Sequence, residues 1–210
     1  MSDLFESLIA RPLAEKMRPT SLELLVGQEH LLAHHAPLGR MLRERRASSM
    51  ILWGPPGSGK TTLAKIIAEH VNMNFEPLSA VFSGVPDLRK VFDKAVERKK
   101  VGEETLLFVD EIHRFNRAQQ DSFLPFVEDG TVILVGATTE NPSFELNSAL
   151  LSRCKVFILQ KIAKTGLEIL VKRAEELEGK ELPLKHEARD ALLSMADGDG
   201  RFLLNMIEEL

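Results

Sequence analysis

The chain holds a single cysteine, Cys154, so no intrachain disulfide can form, and a reducing compartment such as the cytoplasm is the expected home. It has no apolar run long enough to span a bilayer and no signal-peptide pattern, which points away from a membrane role. It has no excess of positive charge: the formal net charge is −4. That excludes a uniformly basic nucleic-acid coat, although a local patch such as Arg43, Arg45 and Arg46 remains compatible with either a DNA contact or a solvated helix face. Internal repeats and low-complexity segments are also missing. What remains is ordinary: 210 residues, 44% hydrophobic and 28% charged, enough for one large domain or a domain with a smaller companion.

The pattern along the chain separates two parts. The first twenty residues read as irregular, broken by Pro12 and Pro19. A short helix is expected over 21–25 and a basic amphipathic helix over 38–47. Strands are expected over 50–53, 74–79, 105–109, 131–136 and 155–159, with 50–53 and 105–109 apolar throughout. Helices are expected between them over 62–69, 86–99 and 119–127. Strands alternating with helices imply an α/β fold with a mostly parallel sheet. Past residue 162 no strand is expected. Helical spacing over 167–177, 187–196 and 202–210 predicts a second, all-helical unit, giving domains of 1–162 and 163–210. The last helix stops at Leu210 without a cap, and the second unit is therefore expected to be incomplete.

The most specific motif is Gly54-Pro55-Pro56-Gly57-Ser58-Gly59-Lys60-Thr61, a complete G-x-x-x-x-G-K-[ST] loop set between a strand and a helix that continues from Thr62. Glycines let successive N–H groups turn inward on a polyphosphate, and the positive end of the helix adds to that field. Lys60 can reach the outer phosphates and the Thr61 hydroxyl can bind Mg²⁺. The expected ligands are ATP and Mg²⁺. The strand ending Val109-Asp110-Glu111 supplies the second half: Asp110 for the metal shell and Glu111 as general base toward water.

Other residues admit two readings on spacing alone. Thr139, ending the 131–139 run, is either a hydroxyl that orients water or a β-branched strand residue. Arg153 is either an arginine finger for a neighbour's site or a surface arginine, and Arg201 either closes on nucleotide or lies on a helix face. His113 either senses nucleotide state or packs. His30 and His34 have helical metal-ligand spacing, but no third ligand accompanies them.

Taken together, these motifs resemble those of the AAA+ ATPases. The triplet Ser152-Arg153-Cys154 is similar to the clamp-loader branch. Two long runs, 110–121 and 136–153, resemble the replication-associated recombination protein A family, and the likeness extends over essentially the whole chain. That resemblance implies a P-loop three-layer sandwich with a five-stranded parallel sheet, followed by a small, here incomplete, helical lid. It implies Thr139 as the sensor-1 residue, Arg153 as the finger acting in trans and Arg201 as the sensor-2 arginine. Met17, Arg18, Pro19, Val26 and Gly27 correspond to the adenine pocket. Ser79 matches only loosely the polar residue that restrains the catalytic glutamate. The implied function is a homotetrameric, DNA-dependent ATPase acting at stalled replication forks and single-strand/double-strand junctions in recombination and repair. Single-strand-binding and replication proteins are the implied partners, and the setting is cytoplasmic and nucleoid-associated. The rival readings are a clamp-loader subunit, a Holliday-junction branch-migration motor, or a nucleotide-gated adaptor that hardly hydrolyses.

Overall fold

A computed structural model describes residues 11–210. Its centre is a sheet of five parallel strands: β1 (Met50–Trp53), β2 (Asn74–Ser79), β3 (Thr105–Asp110), β4 (Ile133–Thr138) and β5 (Lys155–Ile158), in the order β2-β3-β4-β1-β5. β2 is an edge strand and carries Pro77, which an edge tolerates because one side of the strand makes no ladder.

Alternation along the strands divides the core in two. Met50 and Leu52 of β1, Leu106 and Phe108 of β3, and Val135 and Ala137 of β4 meet the helix Lys60–His70 through Leu63, Ala64 and Ile67. Ile51, Leu107, Val109 and Leu134 face the opposite way, onto Leu88, Phe92 and Ala95 of the helix Val85–Lys100 and onto Phe123 and Leu150. The central strands β1, β3 and β4 are buried on both faces, which explains why their sequence runs are largely apolar rather than alternating. On the second face Phe92 stacks on Phe126 with ring centroids 4.0 Å apart and meets Phe123 edge-on at 5.6 Å.

After β5 come three helices, Lys164–Glu178, His186–Ala196 and Gly200–Glu208. They share a third apolar cluster built on Leu167, Val171, Leu193, Leu203 and Ile207. Leu13 and Val26, from the start of the chain, belong to that cluster as well. The Leu13 N–H donates to Glu208 Oε1 at 3.0 Å. The N-terminal segment therefore packs on the last helix, a contact across nearly the whole sequence.

Several local expectations change. Leu13–Lys16 is a helical turn, not irregular chain, while residues 1–10 lie outside the described part. The basic helix spans Pro37–Arg43 and stops short of Ala47, with Arg45 turning to φ +49°. The expected helix over 119–127 is two helices, Arg117–Asp121 and Leu124–Glu128, broken ahead of Pro125, which lacks the N–H a continuous helix needs. β4 lies two residues later than expected, because Asp129 turns the chain by accepting the Thr131 N–H at 2.8 Å. No helix among the described residues is long and apolar enough to cross a membrane.

Candidate nucleotide site

Parallel strands put all their carboxyl ends on one edge of the sheet, where ligands of α/β proteins collect. β1 runs into the glycine loop there. β1 pairs with β4 so that Trp53 lies opposite Thr138, and the Gly54 N–H donates to the Thr138 carbonyl at 3.1 Å. β3 delivers Asp110 and Glu111 to the same edge. A cleft of about 260 Å³ opens between this edge and the three-helix unit.

The cleft lining combines polar and apolar residues. The polar part comes from loop residues Pro56 to Lys60 with Thr61 and Thr62, and from Asp110, Glu111, Thr139, Asp199 and Arg201. The apolar part is formed by Met17, Pro19, Leu25 and Val26 from the N-terminal segment and by Ile162, Leu170 and Leu204 from the helical unit. Arg18 also lines it: its guanidinium bonds Glu15 at 2.5 Å and reaches the Thr62 hydroxyl at 3.3 Å.

The loop backbone is what a phosphate cradle requires. Gly57 and Gly59 have φ of +64° and +94°, conformations that a side chain disfavours. Lys60 is buried, and its ammonium donates to the carbonyls of Gly54 at 2.8 Å and Pro55 at 2.9 Å. Burial pulls its pKa below the ordinary lysine value, while the negative field of Glu111, Asp110 and Asp199 acts the other way. Two carboxylates at a strand end, a hydroxyl at a helix start and a buried ammonium form a donor set that suits Mg²⁺ and a polyphosphate.

Glu111 has φ +52°, a left-handed conformation that costs a non-glycine residue energy. Its Oε2 is buried without a hydrogen bond of good geometry, although His113 Nδ1 lies 3.2 Å away. Strain and an unsatisfied carboxylate at a cleft are a signature of function.

Not every expected site residue lines the cleft. Gly54 and Pro55 act through their carbonyls on Lys60. Gly27, at φ +83°, sits against Ile162 and holds its N–H on Glu29. Arg153 is away from the cleft, at the outer surface, paired with the Glu128 carboxylate and donating to the Ala149 carbonyl at 2.7 Å.

Two residues escaped the sequence reading. Gln28 is fully buried: its amide nitrogen donates to the carbonyls of Ser58 at 3.2 Å and Gln160 at 2.8 Å, and its oxygen accepts the Gln160 N–H at 3.0 Å. It locks the phosphate loop to the chain leaving β5. Asp199 caps the helix that carries Arg201, accepting the Phe202 N–H at 2.9 Å, and its side chain lies over Gly57. Asp199 stands just before a helical run, where a capping residue is expected, but nothing in the sequence places it on the loop.

Comparison with known proteins agrees with this geometry. Residues 50–162 match the family described as ATPase family associated with various cellular activities (AAA). Over 203 residues, 94% of the chain, it is 48% identical to the replication-associated recombination protein A of Escherichia coli, of which it spans 45%. It is 50% identical over 201 residues to the "ATPase WRNIP1" of Dictyostelium discoideum, spanning 23% of that protein. The chain thus spans less than half the length of these relatives. Among solved structures, the RuvB Holliday junction branch migration motor of Thermotoga maritima superposes with a TM-score of 0.71 at 29% identity, over 91% of this chain and 64% of that one.

Proposed function

The chain belongs to the AAA ATPase family, among the relatives of replication-associated recombination protein A, and from that premise we propose that it binds and hydrolyses Mg-ATP to drive work on DNA during replication and recombination. The observation that carries the reading is convergence. The glycine loop with Lys60, the strand-end pair Asp110-Glu111, Thr139 and the lid residue Arg201 all line one cleft, though they come from four separate parts of the chain.

In this reading the apolar lining residues take the base and the loop takes the phosphates. Backbone N–H groups and Lys60 hold the phosphate oxygens, leaving the γ-phosphate toward Glu111. Thr61 and Asp110 would hold Mg²⁺, which supplies positive charge to the phosphates when bound. Glu111 takes the proton of the attacking water, and Thr139 orients that water. Arg201 reaches the γ-phosphate from the lid, so that the nucleotide bridges sheet and helical unit. Arg153, held at the surface, completes the site of a second copy.

At the finer level we place this activity at stalled forks and single-strand/double-strand junctions, stimulated by DNA, in a homo-oligomer. The names of the relatives support that setting: a replication-associated recombination protein and a branch migration motor. Titration calorimetry and phosphate release test the core of it. Lys60→Ala should lose ATP binding, because it removes the charge that the loop presents. Glu111→Gln should bind ATP normally and lose turnover on the order of 100-fold or more. Unchanged affinity in the first variant, or parental turnover in the second, would remove the assignment. Binding with no turnover in the parent protein would favour a nucleotide-gated adaptor.

A further inference from the structure

The Glu111 carboxylate has a neighbour that the nucleotide reading leaves idle. After β3 the chain makes a 3-10 turn, Ile112–Arg114. Ile112 is fully buried and seats against Gly136 of β4, where an added Cβ would come within 2.8 Å of its Cδ1. A glycine at that point in β4 lets the turn lie close to the sheet. The result is that His113 is largely buried between Glu111 and β4, with Nδ1 2.9 Å from Thr138 Oγ1 and 3.2 Å from Glu111 Oε2. Among the described residues it is His113, and not the loosely matched Ser79, that meets this carboxylate.

Chemistry then selects the ring's proton. The fully buried Thr138 hydroxyl accepts the Glu140 N–H at 3.0 Å and lies 3.2 Å from the Glu140 carbonyl, to which it donates. With its proton on the Glu140 carbonyl, the hydroxyl turns its oxygen to the imidazole as an acceptor. A bare Nδ1 would turn a lone pair on both that oxygen and an anionic carboxylate. An Nδ1–H instead bonds the Thr138 hydroxyl and stands 3.2 Å from the Glu111 oxygen, an acceptor it meets after a small turn of the ring.

We infer that His113 is a positioning residue for Glu111: its Nδ1–H is shared between the Glu111 carboxylate and the Thr138 hydroxyl, which ties the rotation of the carboxylate to the loop following β4. The inference rests on the role proposed for Glu111. A small turn of the ring moves the hydrogen bond from Thr138 to Glu111, holding the carboxylate back; the reverse releases it. The Thr138–Glu140 end of the relay is continuous along the chain with Thr139, which lines the cleft.

The test uses the whole chain and two readouts. Nitrogen NMR of the His113 ring, in slightly alkaline buffer without nucleotide, should find Nδ1 protonated, and its resonance should move in Glu111→Gln. A ring with bare Nδ1 would overturn the inference. Turnover separates positioning from packing. His113→Asn keeps an N–H near the Nδ1 position and should stay within about threefold of the parent. His113→Phe fills the same space without a donor and should lower kcat roughly 10- to 100-fold with ATP affinity unchanged. The opposite order, or equal effects, would assign His113 to packing. If the parent protein binds ATP without turning it over, the role of Glu111 as base fails. The ring measurement, which needs no nucleotide, then still decides the contact.

Discussion

The Asp199 side chain occupies the space beside Gly57 that any other residue there would need. A Cβ on Gly57 would come 1.7 Å from Asp199 Oδ1 and 2.9 Å from its Cα, and the Gly200 N–H reaches the Gly57 carbonyl at 3.3 Å. The phosphate loop and the lid are thus in direct contact through two short residues. Gly57→Ala must both adopt φ near +64° and displace the lid. We expect destabilisation on the order of 1–2 kcal/mol from the backbone alone. Lifting Arg201 and the apolar lid residues off the cleft should weaken ATP binding about tenfold or more, the equivalent of about 1.4 kcal/mol. Urea unfolding and titration calorimetry read the two effects. A variant matching the parent in both would mean that the lid contact is not maintained in solution.

Gln28 gives a second test, independent of any ligand. Its amide makes three hydrogen bonds in a site closed to solvent, to Ser58 and Gln160. Gln28→Met keeps much of the volume and leaves those backbone groups without partners. Each buried group left unpaired costs about 1–3 kcal/mol, so the urea midpoint should fall clearly. The loop loses its anchor as well, and ATP affinity should drop with stability. An unchanged midpoint would show that water replaces the amide without loss.

How much of this was legible in the sequence follows from distance along the chain. The phosphate loop and the Asp110-Glu111 pair could be read because their chemistry is local, and β3 at Thr105–Asp110 because its apolar run is long enough to show. The helices Glu29–Leu32, Pro142–Glu145 and Ser148–Leu151 are one turn each, too short for periodicity to register. The last two did carry a signal in Asn141 and Asn147, whose side chains cap them by accepting the N–H groups of Ser143 and Leu150. Gln28 and Asp199 were invisible for a different reason. Their partners are distant along the chain, Ser58 and Gln160 for Gln28 and Gly57 for Asp199, and a lone Gln or Asp reads as surface. His113 stood beside a recognised motif, but its link to Thr138 depends on how closely the 3-10 turn sits on β4, which only Gly136 hints at.

A pH prediction comes from Glu76 on β2, which is mostly buried and paired with Lys94 at 2.9 Å and Arg98 at 2.8 Å on the helix Val85–Lys100. Burial alone would raise its pKa; the hydrogen bonds and charges of Lys94 and Arg98 outweigh that and hold it below the usual 4.5. A carboxylate whose folded pKa is depressed contributes stability that is complete above its unfolded value and is lost as pH falls through the folded one. Stability of the parent should therefore decline below about pH 4.5, and Glu76→Gln, weaker at neutral pH, should decline less over the same acid range. Parallel declines in urea titrations of the two proteins would show that the Lys94–Glu76–Arg98 cluster adds nothing.

Arg153 separates a site complete in one chain from a site completed by two. Its guanidinium is about a third exposed, rests on Glu128 and the Ala149 carbonyl, and lies outside the cleft lining of its own chain. If it acts on nucleotide, it acts on a neighbour's. The surface pair with Glu128 is worth little, so Arg153→Ala should change folding stability by less than about 1 kcal/mol and leave ATP binding intact. Turnover in an assembled form should nevertheless fall steeply, since such fingers contribute roughly 10³ to 10⁵ in rate in well-studied phosphoryl-transfer enzymes. Parental turnover per chain should rise with protein concentration. The decisive measurement is a mixture. Arg153→Ala chains keep Glu111 but offer no finger, and Glu111→Gln chains offer the finger but have no base. Together they form some interfaces where an intact Glu111 faces an intact Arg153, so the mixture should turn over ATP faster than either variant alone. A mixture no faster than its components, with parental turnover independent of concentration and untouched by Arg153→Ala, would assign Arg153 to the surface and the whole reaction to a single chain.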